Sequence, residues 1–205
     1  MKEVNQNMES QIIAAAEKLF LEKGFARTST TEIAKMAGCN QALVHYYFRT
    51  KENLFHKLFE KKFLMVIESI AMDVSGVNGL KDRIESVITR HIAFLKENPE
   101  LPMLVLSEMS RNKDNLKFVF ERMRGSIGKI MSQFDTDIKN ERKKGLIRDV
   151  NGFDVLFSII SLNIFMFISK TMVMGVREFS EQEYDEFIDK RKEEIIKTII
   201  GGIYL

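Results

Sequence analysis

One cysteine, two prolines and no tryptophan stand among 205 residues, and each scarcity excludes something. A lone thiol, Cys39, cannot build an internal disulfide framework, which fits a reducing cytosol. The prolines, Pro99 and Pro102, lie three residues apart and the 11 glycines are scattered, whereas an all-β chain needs many more turn residues. Charge of one sign is missing too. Lys+Arg 31 against Asp+Glu 29 leaves +2, so no acidic or basic tail dictates the partner. Residues 155–169 form a fifteen-residue uncharged stretch that carries Ser158, Ser161, Asn163 and Ser169. A bilayer-spanning helix needs about 20 apolar residues, so no membrane partner is expected, and the stretch reads as a helix buried on both faces. Residues 1–10 are polar and lack the apolar segment of a secretory signal, which again leads to the expectation of a cytoplasmic protein.

What the chain does have is helical spacing almost throughout. Ile12, Ala16, Leu19 and Phe20 recur at i, i+4, i+7 and i+8, predicting an amphipathic helix over 8–23 that Gly24 stops. Ser29 and Glu32 have capping-box spacing at the start of a short helix that Gly38 ends. Asn40 caps a helix over 41–48, and Thr50 caps another from Lys51 that fades near Gly76 and Gly79. Further helices are expected at 80–97, 102–110, 115–144, 152–174 and 181–200. The fold class is all-α, an N-terminal three-helix unit over 1–50 followed by a larger helical domain over 51–205.

Two short helices joined by a glycine turn and supported by a longer helix form the layout of a helix-turn-helix, whose second helix enters the DNA major groove. The character of the second short helix, 40–48, strengthens this. Asn40, Gln41, His45, Tyr46, Tyr47, Arg49 and Lys51 crowd hydrogen-bonding and cationic groups onto one element, while core demands explain only Val44, Phe48 and part of Tyr47. Residues 1–62 hold ten Lys/Arg and seven Asp/Glu, against 21 and 22 in the remainder, an excess that suits a line of phosphates once doubled in a dimer.

The run 20–25 (Phe-Leu-Glu-Lys-Gly-Phe), the run 28–38 (Thr-Ser-Thr-Thr-Glu-Ile-Ala-Lys-Met-Ala-Gly) and the run 44–55 (Val-His-Tyr-Tyr-Phe-Arg-Thr-Lys-Glu-Asn-Leu-Phe) occur in order. Together they resemble the DNA-binding domain of the tetracycline-repressor (TetR/AcrR-like) family over roughly residues 8–60. The resemblance implies a transcriptional regulator that binds double-stranded operator DNA as a homodimer and answers to a small-molecule effector. It implies that Thr30 meets a phosphate, that Asn40, Gln41 and Ala42 meet base edges or backbone, that His45 and Tyr46 project into the groove, and that Tyr47 and Lys51 bind phosphate. An amide such as that of Gln41 can read a base edge, and a flexible point charge such as Lys51 suits a phosphate. Cys39 and Leu43 depart from the family pattern.

The C-terminal two-thirds is rich in Phe and Met. Most of these residues form an ordinary core, but the resemblance implies an effector cavity, and flexible methionines re-pack around varied ligands. The candidate lining is His91, Phe94, Met109, Phe118, Met123, Phe157, Asn163 and Met166, around a largely apolar effector. The last two helices are the candidate dimer seam, through Ile160, Phe167, Tyr184, Ile188, Ile195 and Ile199. A two-fold dimer would set two reading helices about 34–36 Å apart on one duplex face. No cofactor is implied. None of His45, His56 and His91 has a His or Cys at ligand spacing, so no metal is expected, and no catalytic motif is present. The rival reading is a helical small-molecule-binding protein or enzyme whose N-terminal unit is a protein-interaction bundle.

Overall fold

Capping chemistry starts the elements where the sequence places it. The Ser29 hydroxyl accepts from Glu32 N at 3.2 Å while the Glu32 carboxylate accepts from Ser29 N at 2.9 Å, opening a helix at Thr30. The Asn40 side chain accepts from Leu43 N at 2.9 Å, and Thr50 Oγ1 accepts from Asn53 N at 3.1 Å. In this computed structural model the described backbone comprises residues 2–74, 79–111 and 113–205. Within it, the described side chains are those of 7–65, 67, 79–107, 110, 117, 121 and 123–205.

The helices are α1 Lys2–Lys23, α2 Thr30–Met36, α3 Gln41–Phe48, α4 Lys51–Val74, α5 Leu80–Glu97, α6 Leu101–Arg111, α7 Lys113–Lys143, α8 Gly152–Ile168, α9 Lys170–Arg177 and α10 Glu181–Ile203. Among the described residues there is no strand, only one isolated antiparallel bridge between Ile147 and Tyr204. The fold is all-helical, a helix-turn-helix head followed by a helical C-terminal portion. Two expected boundaries move. α1 begins at Lys2 rather than residue 8. The expected 152–174 helix breaks at Ser169, whose hydroxyl donates back to the carbonyls of Phe165 (2.7 Å) and Met166 (3.3 Å). Back-bonding of this kind competes with the helical ladder and bends it, and α8 and α9 meet at 61°. Among the described residues no single helix is long and apolar enough to cross a membrane.

The chain divides into two compact units. The first joins residues 1–64 with 103–122, and the second joins 65–102 with 123–205. The division in α4 therefore falls at Leu64 rather than at residue 50, because Leu54, Phe55, Leu58 and Phe59 are fully buried with the head. The core of the first unit is a ring cluster in which Phe55 lies 5.6 Å from Phe20, 4.9 Å from Phe25 and 4.2 Å from Phe59 between centroids. Such pairs add to the gain from burial alone.

The core of the second unit is Ile84, Val87, Ile88, Phe134, Ile138, Val155, Ile159, Ile188 and Ile195, drawn from α5, α7, α8 and α10. Arg83 and Asp137 form a largely buried ion pair at 2.5 Å across α5 and α7. Burial within one subunit bears on the residues expected at the dimer seam. Phe167, Tyr184, Ile188, Ile195 and Ile199 are buried within their own subunit, because α10 lays its single apolar stripe against α5 and α8. The Tyr184 hydroxyl even donates to the Met166 carbonyl on α8. Of the six seam residues only Ile160 is half-exposed. Among the described residues, three uncovered phenyl rings lie on the outward side of α8, where Phe153, Phe157 and Phe165 are 59 %, 61 % and 61 % exposed.

Candidate nucleic-acid interface

α3 buries Val44 and Phe48, one turn apart, half-buries Leu43 and Tyr47, and leaves the remaining side chains to solvent. Val44 and Phe48 hold the helix on the head, so Gln41, Ala42, His45 and Tyr46 form the opposite, exposed face. Tyr46 is 73 % exposed, an unusual position for a large ring with no partner beyond its edge contact to Tyr47 at 5.3 Å.

The turn that aims α3 is tightly specified. Gly38 adopts φ +69°, a left-handed conformation that a side chain resists, and Cys39 N donates to the Ala34 carbonyl at 2.9 Å. Cys39 is half-buried, and that burial pushes its thiol pKa up. Before α2, the Glu32 carboxylate also receives Lys23 Nζ at 2.7 Å. The Lys23 hydrogen bond, with those from Ser29, holds the Glu32 carboxyl at about 2, far below the ordinary carboxylate value.

The expected contact residues share the head, and several are tied to one another. Gln41 Nε2 donates to Thr30 Oγ1 at 3.0 Å, joining the N-terminal ends of α2 and α3. Asn40 uses its side-chain oxygen as the α3 cap. His45 Nδ1 donates to the Arg49 carbonyl at 2.8 Å. Lys51 donates to the carbonyls of Phe25 and Thr28, both at 2.9 Å, with its ammonium 4.3 Å over the Phe25 ring. Two of its three N–H groups therefore brace the α1–α2 turn. Tyr47 is half-buried. Arg49, counted in the sequence among the cationic groups of this element, is assigned no contact there. It is exposed, holds a non-glycine φ of +63° at the α3 C-cap, and supplies the carbonyl that orients His45. Its cationic type was visible in the run 44–55, but nothing in the sequence signals its backbone.

The candidate effector residues divide three ways. His91, Phe94, Met123, Asn163 and Met166 are buried in the second unit. Phe157 is not; its ring lies on the outward side of α8, stacked on Phe153 at 5.8 Å, which removes it from any interior lining. Met109 and Phe118 lie outside the described side chains. Asn163 Nδ2 donates to the Ile88 carbonyl (3.4 Å) and lies 3.3 Å from His91 Nδ1, while Asn163 Oδ1 is buried with no partner among the described residues. Among the described residues no group of three His, Cys, Asp or Glu could hold a metal ion.

Residues 12–58 match the family described as bacterial regulatory proteins, tetR family. Over 198 residues the chain is 25 % identical to the fatty acid metabolism regulator protein of Bacillus subtilis (strain 168), spanning 95 % of this chain and 94 % of that one. It is 27 % identical over 187 residues to the nucleoid occlusion factor SlmA of Aliivibrio fischeri (strain MJ11), spanning 88 % and 90 %. The fold matches the transcriptional regulator FadR from Bacillus subtilis in complex with stearoyl-CoA, with TM-score 0.71, 20 % identity and coverage of 95 % and 98 %. It also matches a TetR-family transcriptional regulator from Haemophilus influenzae RD, with TM-score 0.68, 18 % identity and coverage of 97 % and 99 %.

Proposed function

We propose that this chain, whose residues 12–58 match the tetR family of bacterial regulatory proteins, is a dimeric, effector-released repressor of a palindromic operator, acting in the cytoplasm. The observation that carries this reading is the exposed face of α3, where Gln41, Ala42, His45 and Tyr46 lie opposite the buried Val44 and Phe48. The base-reading groups are Gln41, His45 and Tyr46, with Asn40 and Ala42 beside them. Thr30, Tyr47 and the third N–H of Lys51 fix register on the phosphates.

Dimerisation uses the outward side of α8, with Phe153, Phe157, Ile160 and Phe165 meeting the same side of a second copy. Apolar rings exposed in a row suit a two-fold, self-complementary contact. The effector is an apolar acyl compound, a class supported by relatives named for fatty acid regulation and for a stearoyl-CoA complex. Its polar end meets the unpartnered Asn163 Oδ1 beside His91, and Phe94, Met123 and Met166 supply apolar lining. α4 runs from the head into the second unit, so an effector that prefers one setting of α4 lowers operator affinity by its differential affinity for the two settings.

Selection of bound duplexes from a random pool tests the reading. The wild type should recover an inverted repeat, and Phe157→Asp should sediment as a monomer and bind that duplex about 30-fold or more weakly, the scale of losing one hot-spot ring. Stearoyl-CoA should lower retention of the selected duplex. Failure to enrich any sequence overturns the DNA-binding assignment; unchanged retention with stearoyl-CoA overturns the effector class alone.

A further inference from the structure

We propose that α3 reads the major groove as an acceptor face, with Gln41 Oε1 and His45 Nε2 selecting base pairs by the exocyclic amines of adenine and cytosine. This rests on the DNA-binding function proposed above and goes on to the base chemistry. The assignment comes from where the donors of these two side chains already go.

Thr30 sets the first. A phosphate oxygen only accepts, so the Thr30 hydroxyl can serve a phosphate only by donating its single hydrogen. Its oxygen then keeps lone pairs, and one of them receives Gln41 Nε2 at 3.0 Å. The chain of donation runs Gln41 to Thr30 to phosphate, with no alternative direction while the phosphate is bound. The nitrogen branch of the Gln41 amide is thereby held on α2, and the oxygen branch faces the bases.

Arg49 sets the second. A backbone carbonyl also only accepts, so the 2.8 Å contact places the hydrogen of His45 on Nδ1. In the neutral ring Nε2 is then an acceptor. The carbonyl that enforces this belongs to a residue held at φ +63°, an arrangement that turns the chain end of α3 back toward its own side chain.

Gln41 and His45 are four residues apart on one face, about 6 Å along the helix, within reach of one or two base-pair steps. In the major groove adenine N6 and cytosine N4 are the donors, whereas guanine O6 and N7 and thymine O4 accept. Two acceptors, with one Gln41 N–H spent on Thr30 and the single His45 N–H spent on Arg49, therefore favour amine-bearing bases on the contacted strand and disfavour guanine and thymine by lone-pair opposition.

The experiment is selection from a random duplex pool at pH 8 with the full-length protein, read as the ratio of amine-bearing (A plus C) to oxo-bearing (G plus T) bases at each position. Gln41→Ala and His45→Ala identify the two positions by flattening them. The wild type should show a ratio of about tenfold or more at both, the scale of one mismatched pair. Thr30→Val should lower the ratio at the Gln41 position to about twofold or less and leave the His45 position unchanged, while Thr30→Ser, which keeps the hydroxyl, should restore it. His45→Lys, a donor-only side chain, should invert preference at the His45 position. Guanine or thymine enriched by the wild type at either position, or a ratio at the Gln41 position that Thr30→Val does not move, overturns the proposal while leaving DNA binding intact. A wild-type pool with no enriched sequence overturns the DNA-binding function itself, and this proposal with it.

Discussion

Acid should destabilise this protein through one buried imidazole. His91 lies on α5 with 7 % of its surface exposed, and Asn163 Nδ2 is 3.3 Å from its Nδ1. The same Nδ2 donates to the Ile88 carbonyl, which holds the amide in that orientation, so Nδ1 accepts and the ring is neutral. Burial lowers its pKa from the ordinary 6.5 to about 4. The unfolded chain takes up a proton below pH 6.5 and the folded chain only below about 4, so the unfolded state binds more protons between them. Stability from this group is thus complete above pH 6.5 and is lost as pH falls toward 4. The full loss is about 3 kcal/mol, of which about 2 kcal/mol has gone by pH 5. Urea unfolding at pH 7.5 and 5.0, at one protein concentration, measures it when wild type is compared with His91→Gln. Glutamine keeps an acceptor for Asn163 and removes the titration. Every other group is common to both proteins, so the difference isolates His91. The wild type should lose about 2 kcal/mol more than the variant over this span. Equal losses, within about 0.5 kcal/mol, would refute the argument.

Two other perturbations test the head and the second unit. Lys51→Met removes two charged hydrogen bonds to the α1–α2 turn and should cost about 1–3 kcal/mol in thermal unfolding. If the third N–H also serves a phosphate, the slope of log affinity against log salt should fall by about one per half-site, and a changed stability with an unchanged slope would make Lys51 a brace only. Gly152→Ala places a Cβ 2.6 Å from Asp135 Oδ1 and 3.1 Å from Phe134 Cβ, where Gly152 N now donates to that carboxylate at 3.1 Å. Denaturant unfolding should show a loss of about 1–3 kcal/mol, and a loss below about 0.5 kcal/mol would mean the α7–α8 approach relaxes freely.

The head was legible in the sequence because its instructions are local. Ser29 with Glu32, Asn40 and Thr50 each satisfy backbone groups within three residues, and Gly24 and Gly38 take the positive φ that their positions suggest. Short-range chemistry of this kind needs no knowledge of the rest of the fold. The early start of α1 was not legible, since residues 2–7 carry no apolar periodicity to extend the pattern. Nor was the break at Ser169, where a single hydroxyl among apolar neighbours turns on its own helix. The Thr30–Gln41 and His45–Arg49 bonds lay beyond sequence as well, because the first depends on how two side chains are aimed and the second on how the Arg49 backbone turns.

The seam expected on α10 meets a more general ambiguity. An apolar stripe such as Tyr184, Ile188, Ile195 and Ile199 announces that it will be buried, but not against which chain, and one stripe can be buried only once. α10 has one stripe and uses it on α5 and α8 of its own subunit. α8 differs because it is apolar on opposite sides. Val155, Ile159, Asn163 and Met166 face inward at i, i+4, i+8 and i+11, and Phe153, Phe157 and Phe165 face outward at i, i+4 and i+12. With each phenyl presenting about 60 % of a ring worth roughly 200 Å², these three alone expose about 350 Å² of apolar surface. That is the scale of the largest patch a typical monomer leaves uncovered. A helix that is apolar all round, yet flanked by a charged neighbour with a single stripe, is thus the element with a face to spare. The physical distinction between core and interface therefore lies in the count of apolar faces per helix, a quantity the sequence does contain, rather than in which helices come last.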